Sequence, residues 1–335
     1  MQPNLPQVEK PSSGKIPEQS PKCSIVIRAY NEEKHISRLL DGISMQSIKD
    51  IQIILVDSGS TDSTRIIASQ YPVEIVDIPP NEFTFGRSLN TGINHAKSDI
   101  IVMASAHVHP VYPDWLERML APFANPKIAL AYGKQRGDSN TKFSEKRVFA
   151  QWFPDHAQPN QAHPFCNNAN AAIRRELWEV RPYDESISGL EDLEWANWAI
   201  EEGYLLSYIA DAEVIHVHNE SPSQVYNRYR REAIAFKTIF PNENFNLVNF
   251  LQLVVTNIIN DLQQAIRSRV FLSSLSSIFW FRWMQFWGTY RGYRHSGPLT
   301  NQLRQKFYYP ENSRVLPQSH SRDIKPIQYN EVIND

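Results

Sequence analysis

The sequence predicts an α/β protein with a mostly parallel central sheet, helices on both faces and a helical segment at its C-terminal end. Short apolar runs rich in β-branched residues alternate with helical patterns through the first 120 residues, which is typical of a parallel sheet with right-handed crossovers. The runs at 51–56 and 100–104 are almost continuously apolar, as expected of strands covered on both faces. From residue 247 onward only helical patterns remain.

The elements follow from these patterns in chain order. Strands are predicted at 24–29, 51–56, 73–78, 100–104, 205–209 and 212–217. Helices are predicted at 32–43, 61–69, 87–96, 113–120 and 192–202, and from residue 223. Residues 128–132 continue the strand pattern, whereas 133–164 is polar and proline-bearing and predicts an irregular segment.

Composition limits the classes of function. With 335 residues and 41% hydrophobic content, the chain can bury one α/β core and an appended helical segment. Its net charge of −2 does not indicate a nucleic-acid partner. Its two cysteines, Cys23 and Cys166, lie far apart, which argues against a disulfide framework and favours a reducing, cytoplasmic compartment. No apolar stretch reaches the ~20 residues that a spanning helix needs.

Four regions are expected along the chain. Residues 1–21 hold five prolines and no apolar core of a signal peptide, which predicts a disordered leader. A catalytic α/β domain is expected at 22–240 and a helical segment at 241–308. Residues 309–335 contain proline, charge and little apolar content, so a loosely ordered tail is expected there.

Polar residues follow two of the predicted strands. Asp57 ends the run at 51–56, and Ser105-Ala106-His107 follows the run at 100–104. Since ligands of open α/β sheets bind outside the carboxyl ends of the strands, both groups should face one crevice. The later acid pair Glu191-Asp192 could supply a general base to that crevice. This layout indicates an enzyme.

Three segments of the chain resemble the family 2 glycosyltransferases. They are Cys23-Ser-Ile-Val-Ile-Arg-Ala-Tyr-Asn-Glu-Glu33, Val56-Asp-Ser-Gly-Ser-Thr-Asp62 and Gly189-Leu-Glu-Asp-Leu-Glu-Trp195, in the family's order. The resemblance implies the GT-A (Rossmann-like) fold, a nucleotide-diphosphate sugar donor and inversion of the anomeric centre. One departure concerns the metal motif, because Ser105-Ala106-His107 stands where the family usually has Asp-x-Asp.

The resemblance implies a donor nucleotide site at the strand tips. The carboxylate of Asp57 would accept a hydrogen bond from the imide N–H of uracil or thymine, and the ring of Tyr30 would stack on the base. Alternatively, Asp57 caps the next helix, and Arg87 and Asn90 belong to a solvated helix face. The donor-binding residues expected from the resemblance are Ala29, Tyr30, Glu32, Asp57, Arg87, Asn90, Ser105 and Ala106.

The resemblance also assigns catalytic and acceptor roles. Asp192 matches the base that takes the proton of the acceptor hydroxyl, and Glu191 would orient a loop or contact the acceptor. Alternatively, the two acids have only a structural role, because the helix dipole favours negative charge in the first turn. The expected acceptor-binding residues are Asn168, Asn170 and Trp195, the two asparagines because amides both donate and accept hydrogen bonds.

Three histidines form a candidate metal site. His216 and His218 lie on one face of a predicted strand, and the resemblance places a late histidine of this kind near His107. Imidazole ligands suit Mn²⁺ or Zn²⁺ better than Mg²⁺, and Mn²⁺ is the preferred candidate. Alternatively, the histidines donate hydrogen bonds directly to the diphosphate or simply pack.

The densest aromatic patch spans residues 279–287, with Arg282, Arg291 and Arg294 nearby. Two interpretations remain open: it lies peripherally on the inner face of the plasma membrane and presents the site to a lipid-linked acceptor, or it packs on the catalytic domain or in a homodimer. Processive members of the family carry Gln-x-x-Arg-Trp and spanning helices. Here Phe279 stands three before Arg282, so addition of a single sugar is favoured.

These observations predict inverting transfer of one sugar from a UDP- or dTDP-linked donor to a hydroxyl of a glycan or glycolipid during bacterial cell-surface polysaccharide assembly. The main alternative is a non-catalytic protein that binds sugar nucleotides through a degenerate metal motif. Retention of Glu191-Asp192 argues against this alternative. A nucleotidyltransferase is disfavoured because no Gly-rich phosphate loop follows the first strand.

Overall fold

The computed structural model describes residues 20–296, Lys325 and residues 327–329. The strands in this part of the chain are β1 (Cys23–Ala29), β2 (Ile51–Asp57), β3 (Glu74–Asp77), β4 (Ile100–Ser105), β5 (Val108–Pro110), β6 (Ile128–Arg136), β7 (Gln158–Gln161), β8 (Asn170–Arg174) and β9 (Leu205–His216). The α-helices are α1 (Ile36–Ser44), α2 (Thr64–Ala68), α3 (Phe85–Asn94), α4 (Trp115–Leu120), α5 (Phe143–Trp152), α6 (Arg175–Val180), α7 (Glu191–Glu201), α8 (Pro222–Ile239), α9 (Leu247–Arg267) and α10 (Phe271–Tyr293).

The strands form one sheet in the order β3-β2-β1-β4-β8-β6-β9-β5, with β7 pairing to β9. The half made of β3, β2, β1 and β4 is parallel throughout, as the alternating pattern predicts. In the other half, β8 runs antiparallel to both β4 and β6, whereas β6 and β9 are parallel. The α/β fold is therefore confirmed, and its sheet is mixed because β8 enters between β4 and β6 in the reverse direction.

Both faces of the parallel half are covered. On β1, Val26 belongs to one apolar cluster with Leu89 and Ile93 of α3, and Ile25 belongs to the opposite cluster with Leu39 of α1. Successive side chains of a strand point to opposite faces, so the continuous apolar runs fill two cores at once. The sheet thereby holds the carboxyl ends of its central strands in fixed positions.

Several elements escaped sequence-based prediction. The segment 133–164, expected to be irregular, contains α5 and β7, and the two strands expected at 205–209 and 212–217 are one strand, β9. The polar composition of α5 has a physical reason: besides Phe149, its buried residues are Ser144 and Glu145, which lie against charged groups. Its buried face is therefore only partly apolar, and hydrophobic periodicity does not reveal it.

The C-terminal helices pack on one another and on α5. The predicted domain boundary at residue 240 falls between α8 and α9. Gly288 and Gly292 of α10 allow close approach to α8, since a Cβ at Gly288 would lie 2.5 Å from the backbone oxygen of Tyr226. Arg282 of α10 forms a buried ion pair with Asp261 of α9, with Nε–Oδ2 and Nη2–Oδ1 distances of 2.7 and 3.1 Å.

Most of the aromatic patch at 279–287 serves helix packing. Phe281 is completely buried, and the rings of Trp283, Trp287 and Tyr290 surround Phe250 of α9 at centroid distances of 5.3–6.0 Å. Of the aromatic side chains in the patch, Phe279 and Trp283 are about half exposed. In the part of the chain that the structure describes, no helix combines the length and hydrophobicity needed to cross a bilayer.

The predictions for the chain ends fall largely outside the described residues. This holds for the leader at 1–21, apart from Ser20 and Pro21, and for most of the tail at 309–335. Within the tail, Ile327 donates its N–H to the oxygen of Val111, and the Tyr329 hydroxyl donates to the oxygen of Pro110 at 2.8 Å. These residues are docked against β5, and the expectation of a loosely ordered tail is wrong for them.

We expect Asp261→Ala to lower the free energy of unfolding by about 3–5 kcal/mol, because it leaves the Arg282 guanidinium buried without its carboxylate. The double variant Asp261→Leu/Arg282→Met should recover most of this loss, since it removes both charges. Chemical denaturation of both variants, with exposed Arg267→Ala as control, measures the effect. A single variant as stable as the parent would show that the pair does not hold α9 against α10.

Candidate active site

The site begins at the carboxyl edge of the parallel strands. Asp57, the last residue of β2, lies opposite Ala29 of β1, and Ser105, the last residue of β4, lies opposite Arg28. The tips of β2 and β4 thus flank the tip of β1 at one edge of the sheet, as the sequence predicts. Tyr30, the first residue beyond β1, is half-buried between them.

One carboxylate oxygen of Asp57 accepts hydrogen bonds from the protein, whereas the other remains available to a ligand. Its Oδ2 accepts the N–H groups of Gly59 and Ser60 at 3.2 and 3.0 Å and contacts Arg65 at 3.3 Å. Gly59 adopts φ +91°, which a residue with a side chain rarely does. Oδ1 is buried and has no hydrogen-bond partner among the described residues. A buried carboxylate oxygen of this kind suits a ligand N–H donor.

The loops after β1 and β2 are tied together. The backbone N–H groups of Asn31 and Glu32 donate to the hydroxyls of Ser60 and Thr64 at 2.9 and 2.7 Å. Asn31 accepts in return the N–H of Thr61 at 2.8 Å. These bonds fix both loops beside the crevice, and the motif 56–62 therefore has a structural role as well as a binding one.

Three of the expected donor-binding side chains are used elsewhere. Asn90 is buried, donates to the oxygen of Tyr183 at 2.9 Å and accepts from the indole N–H of Trp178 at 2.9 Å. The methyl group of Ala106 is fully buried in the core, and that of Ala29 is 5% exposed. Packing and internal hydrogen bonds occupy these three side chains, and the expectation that the residues bind the donor stays a prediction.

Arg87 and Glu32 are also engaged. The Nε of Arg87 donates to Glu185 at 2.7 Å, and the carboxylate of Glu32 lies 2.7 Å from Nδ1 of His107. Arg87 retains an exposed side-chain fraction of 41%. Glu32 therefore lies at the histidine cluster, and its expected role in donor binding stays a prediction.

The acid pair opens α7, as predicted. Leu190, directly before it, adopts the left-handed conformation with φ +58°, which is uncommon for a bulky residue and typical of constrained functional loops. Oδ2 of Asp192 accepts the backbone N–H of Asn168 at 3.0 Å. Glu191 pairs with Arg28 through Oε1 and Nη1 at 3.0 Å. Both carboxylates are buried at the crevice.

Burial and, to a smaller extent, the neighbouring Glu191 carboxylate raise the pKa of Asp192 to about 7, against the backbone hydrogen bonds from Asn168 and Leu193. A carboxylate with a pKa near neutrality accepts a proton far better than an ordinary aspartate does. Asp192 therefore has the acid–base properties of a general base at physiological pH.

The three expected acceptor residues separate into two groups. Asn168 lies against Asp192, and its Nδ2 is buried without a hydrogen-bond partner among the described residues, so it has a donor to offer. Asn170 instead donates to the oxygens of Lys134 and Ala212, and Trp195 is completely buried. The acceptor-binding prediction is wrong for Asn170 and Trp195, because both side chains belong to the interior.

The three predicted histidines come together where β4 ends and β9 ends. The ring centroids of His107 and His216 lie 5.0 Å apart, and those of His216 and His218 lie 4.0 Å apart. One ring nitrogen from each lies within 4.8 Å of the other two. The β5–β9 pairing, in which Val108 faces His216, explains why these distant residues meet.

Each imidazole is oriented by an oxygen atom. Nδ1 of His107, His216 and His218 lies 2.7, 2.7 and 2.8 Å from oxygens of Glu32, Gln135 and Glu145, respectively. Because these oxygens accept hydrogen bonds, each Nδ1 is the donor and each Nε2 keeps its lone pair. The sequence did not identify Gln135 or Glu145, and the only signal was their polarity between strands.

This donor set fits a divalent cation. Burial, then the neighbouring His218 and His107, hold the pKa of His216 well below its usual value, so its ring is neutral. Its Nε2 is buried without a partner among the described residues. Metal-binding histidines typically present one nitrogen to the ion while the other donates to a carboxylate or carbonyl oxygen. The hydroxyl of Ser105 lies 3.2 Å from Nε2 of His107.

Arginines that the sequence did not single out line the crevice. The guanidinium groups of Arg28 and Arg231 stand 5.0 and 4.6 Å from the centre of the Phe85 ring. Arg231 also lies beside Gly189, just before the acid pair. Helix α8 thus brings positive charge to the same crevice as Asp192, which suits an anionic ligand.

A mixed α/β sheet with an unpartnered carboxylate oxygen, three convergent imidazoles and a buried acid pair at its strand ends is the arrangement of a GT-A glycosyltransferase. Residues 24–181 match the model of the family described as "Glycosyl transferase family 2". Residues 24–181 therefore form a glycosyltransferase family 2 domain.

Similar proteins agree with this assignment. The chain is 29% identical over 221 residues to the O-antigen chain rhamnosyltransferase WbaN of Salmonella anatum, covering 62% of this chain and 70% of that protein. It is 24% identical over 222 residues to the glycosyltransferase AglE of Haloferax volcanii, covering 60% and 68%. The mannosyltransferase PcManGT of Pyrobaculum calidifontis, solved with GDP-Man and Mn²⁺, shares the fold with a TM-score of 0.55 at 19% identity, covering 88% and 89%.

The raised pKa of Asp192 has a consequence for stability. Folding raises this pKa from 3.8 to about 7, so the ionised carboxylate destabilises the folded state, and the stability due to Asp192 falls as pH rises through this window. We expect Asp192→Asn to gain on the order of 2–4 kcal/mol relative to the parent between pH 4 and pH 7. Denaturation at several pH values measures this difference, with exposed Asp50→Asn as control. A difference independent of pH would contradict the raised pKa.

Proposed function

We propose that the protein transfers a single sugar, with inversion, from a UDP- or dTDP-linked donor to a hydroxyl of a glycan or lipid-linked acceptor in cell-surface polysaccharide assembly. The O-antigen chain rhamnosyltransferases among its relatives support this class of acceptor. The observation that carries the proposal is the buried Asp192, held by a backbone N–H at 3.0 Å, with a pKa of about 7.

Asp192 removes the proton from the acceptor hydroxyl as that oxygen attacks the anomeric carbon. Inversion requires the attack and the departure of the nucleoside diphosphate to occur on opposite faces of the sugar. The Asn168 N–H fixes one oxygen of Asp192, and its free Nδ2 donor suits a sugar hydroxyl. Glu191 stays paired with Arg28, whose guanidinium lies at the crevice. In this arrangement Glu191 positions Arg28 and favours protonation of its neighbour.

The nucleobase lies at the tip of β2. The unpartnered Oδ1 of Asp57 accepts the N3–H of uracil or thymine, and cytosine has no such donor. The half-buried ring of Tyr30 would stack on the base. These two contacts support a uridine or thymidine nucleotide in the donor.

His107, His216 and His218 would hold a divalent cation, with Mn²⁺ the preferred candidate. When bound, the cation would stabilise the negative charge of the departing diphosphate as a Lewis acid. The family's usual Asp-x-Asp would place carboxylates on the ion, whereas here the three imidazoles would be its ligands, and Glu32 and Glu145 would hold two of them in place.

A membrane surface would present a lipid-linked acceptor to the site. Helix α9 exposes an apolar face with helical spacing, and α10 adds Leu272 and Trp283. No Asp or Glu occurs between residues 262 and 294, which include four arginines besides the buried Arg282, so the face suits an anionic lipid surface. The exposed apolar residues of α9 are Leu247, Val248, Leu251, Val255, Ile259 and Ile266.

The proposed base is tested with Asp192→Asn. A thermal-shift screen against UDP- and dTDP-sugars first identifies the donor, since a saturating ligand stabilises the fold by a few kcal/mol. Transfer by the variant should then fall at least a hundredfold while donor affinity is retained, because a base acts only in the chemical step. Glu202→Gln, at the exposed end of the same helix, is the matched control. Transfer within about tenfold of the parent would refute the assignment.

The metal is tested by its removal. Excess chelator should abolish transfer, and Mn²⁺, Co²⁺ or Zn²⁺ should restore it. His216→Ala should lose bound metal, measured by elemental analysis, whereas exposed His163→Ala should keep it. Full activity in chelator, with no metal in the purified protein, would mean that the histidines bind the diphosphate directly.

The membrane contact is tested by flotation with vesicles of phosphatidylethanolamine and phosphatidylglycerol. Leu251→Gln/Val255→Gln should reduce the bound fraction, since interfacial binding scales with buried apolar area. Ile66→Gln, which removes an equally exposed apolar side chain on α2, should leave it unchanged. Unchanged flotation of the double variant, or a stable dimer that the double variant disrupts, would assign the face to another role.

A further inference from the structure

A second cleft lies beside the catalytic crevice, between the start of α5 and the first half of α10. It has a volume of about 370 Å³. It is open because the adjoining face of α10 carries serines where larger side chains would fill the space. The residues that define it are Asn140, Thr141, Lys142, Ser273, Ser277 and Trp280.

One wall of the cleft offers hydrogen-bond donors. The Nδ2 of Asn140 is buried and has no partner among the described residues, although the residue lines the cleft. The loop is rigid, since Oδ1 of the buried Asp138 accepts the N–H groups of Asn140 and Thr141 at 3.2 and 2.9 Å. Lys142 adds an ammonium group to this wall. An unsatisfied amide on a fixed loop points to a ligand that accepts hydrogen bonds.

The opposite wall offers acceptors and an aromatic ring. The hydroxyls of Ser273 and Ser277 donate to the backbone oxygens of Val270 and Ser274 at 3.0 and 2.8 Å, so their lone pairs remain for a ligand. Trp280 follows on the same helical face, because residues spaced by three, four and seven lie together. A single ammonium group among many neutral polar groups suits an uncharged ligand that both donates and accepts hydrogen bonds. Sugar rings combine such hydroxyls with an apolar face.

The cleft is linked to the catalytic site through α5. Glu145, which orients His218, lies two residues after Phe143, so the cleft begins about 3 Å along the helix axis from that contact. Arg282 of α10 contacts the backbone oxygen of Ser144, which joins the two walls at this level. A glycan bound at the catalytic crevice therefore has a neighbouring polar surface along which it can extend.

We propose that this cleft binds a sugar residue of the acceptor glycan, one or two units away from the hydroxyl that reacts. The inference rests on the proposed function, because it treats the acceptor as an oligosaccharide. Trp280 and Asn140 then determine how well acceptors of different length bind. Neither residue takes part in the chemical step.

The test uses soluble p-nitrophenyl mono-, di- and trisaccharides of rhamnose, mannose and galactose as acceptors. Trp280→Ala should raise KM for the longer acceptors roughly tenfold, which corresponds to the loss of one aromatic contact, with kcat and the monosaccharide KM nearly unchanged. Asn140→Ala should act in the same direction. Phe279→Ala, which removes an exposed neighbouring ring that does not line the cleft, is the matched control and should change neither value.

Saturation-transfer NMR with the same saccharides separates this inference from the proposed function. Contacts of the distal sugar should disappear in Trp280→Ala and persist in Phe279→Ala, even if no transfer is detected. An equal rise of KM for short and long acceptors, or equal losses in both variants, would overturn the cleft assignment while leaving the glycosyltransferase function intact. Absence of transfer to every acceptor, with distal-sugar contacts present, would count against the proposed function alone.

Discussion

The site depends on three hydrogen bonds from imidazole Nδ1 atoms. Glu32, Gln135 and Glu145 each accept one, and each bond turns the other nitrogen of a histidine toward the same small volume. The three acceptors come from the loop after β1, from β6 and from α5, so the cluster forms only when both halves of the sheet and α5 are in place. Loss of any acceptor would free one ring to rotate and break the convergence.

Helix α5 connects the histidine cluster to the C-terminal helices. Glu145 contacts His218 and Arg228, and the adjacent Ser144 offers its backbone oxygen to Arg282, which is paired with Asp261. Through these contacts the C-terminal helices support the catalytic crevice. The same helix begins beside the proposed saccharide cleft, so one element contacts both the histidine cluster and that cleft.

The strand ends and the acid pair are predicted well from the sequence, because strong local patterns mark them. Apolar runs that end in Asp57 and Ser105 locate the strand tips, and Glu191-Asp192 at a helix start locates the acid pair. Helix α5 could not be predicted in this way, because its buried face includes Ser144 and Glu145, whose partners lie on α8, on α10 and just after β9. Its role appears only once the tertiary contacts are known.

Errors in the predicted site arise from side-chain direction. Asn90, Asn170 and Trp195 have the residue types that a sugar-nucleotide site uses, but their polar atoms bond to the interior. Residue type and position in a motif do not reveal which way an amide or indole points. Conversely, the sequence does not identify Arg28 and Arg231 as site residues, because an arginine on a strand or helix is ordinarily a solvent-exposed charge. Here both stack on Phe85 at the crevice.

We propose that three imidazoles, in place of the usual carboxylates, bind one cation. Anomalous X-ray diffraction from crystals grown with Mn²⁺ and UDP tests it most directly. The account predicts a manganese peak within about 2.3 Å of one nitrogen of His107, His216 and His218, with a diphosphate oxygen completing the coordination. A diphosphate hydrogen-bonded to the imidazoles with no metal peak, or a peak held by carboxylates elsewhere, would contradict it.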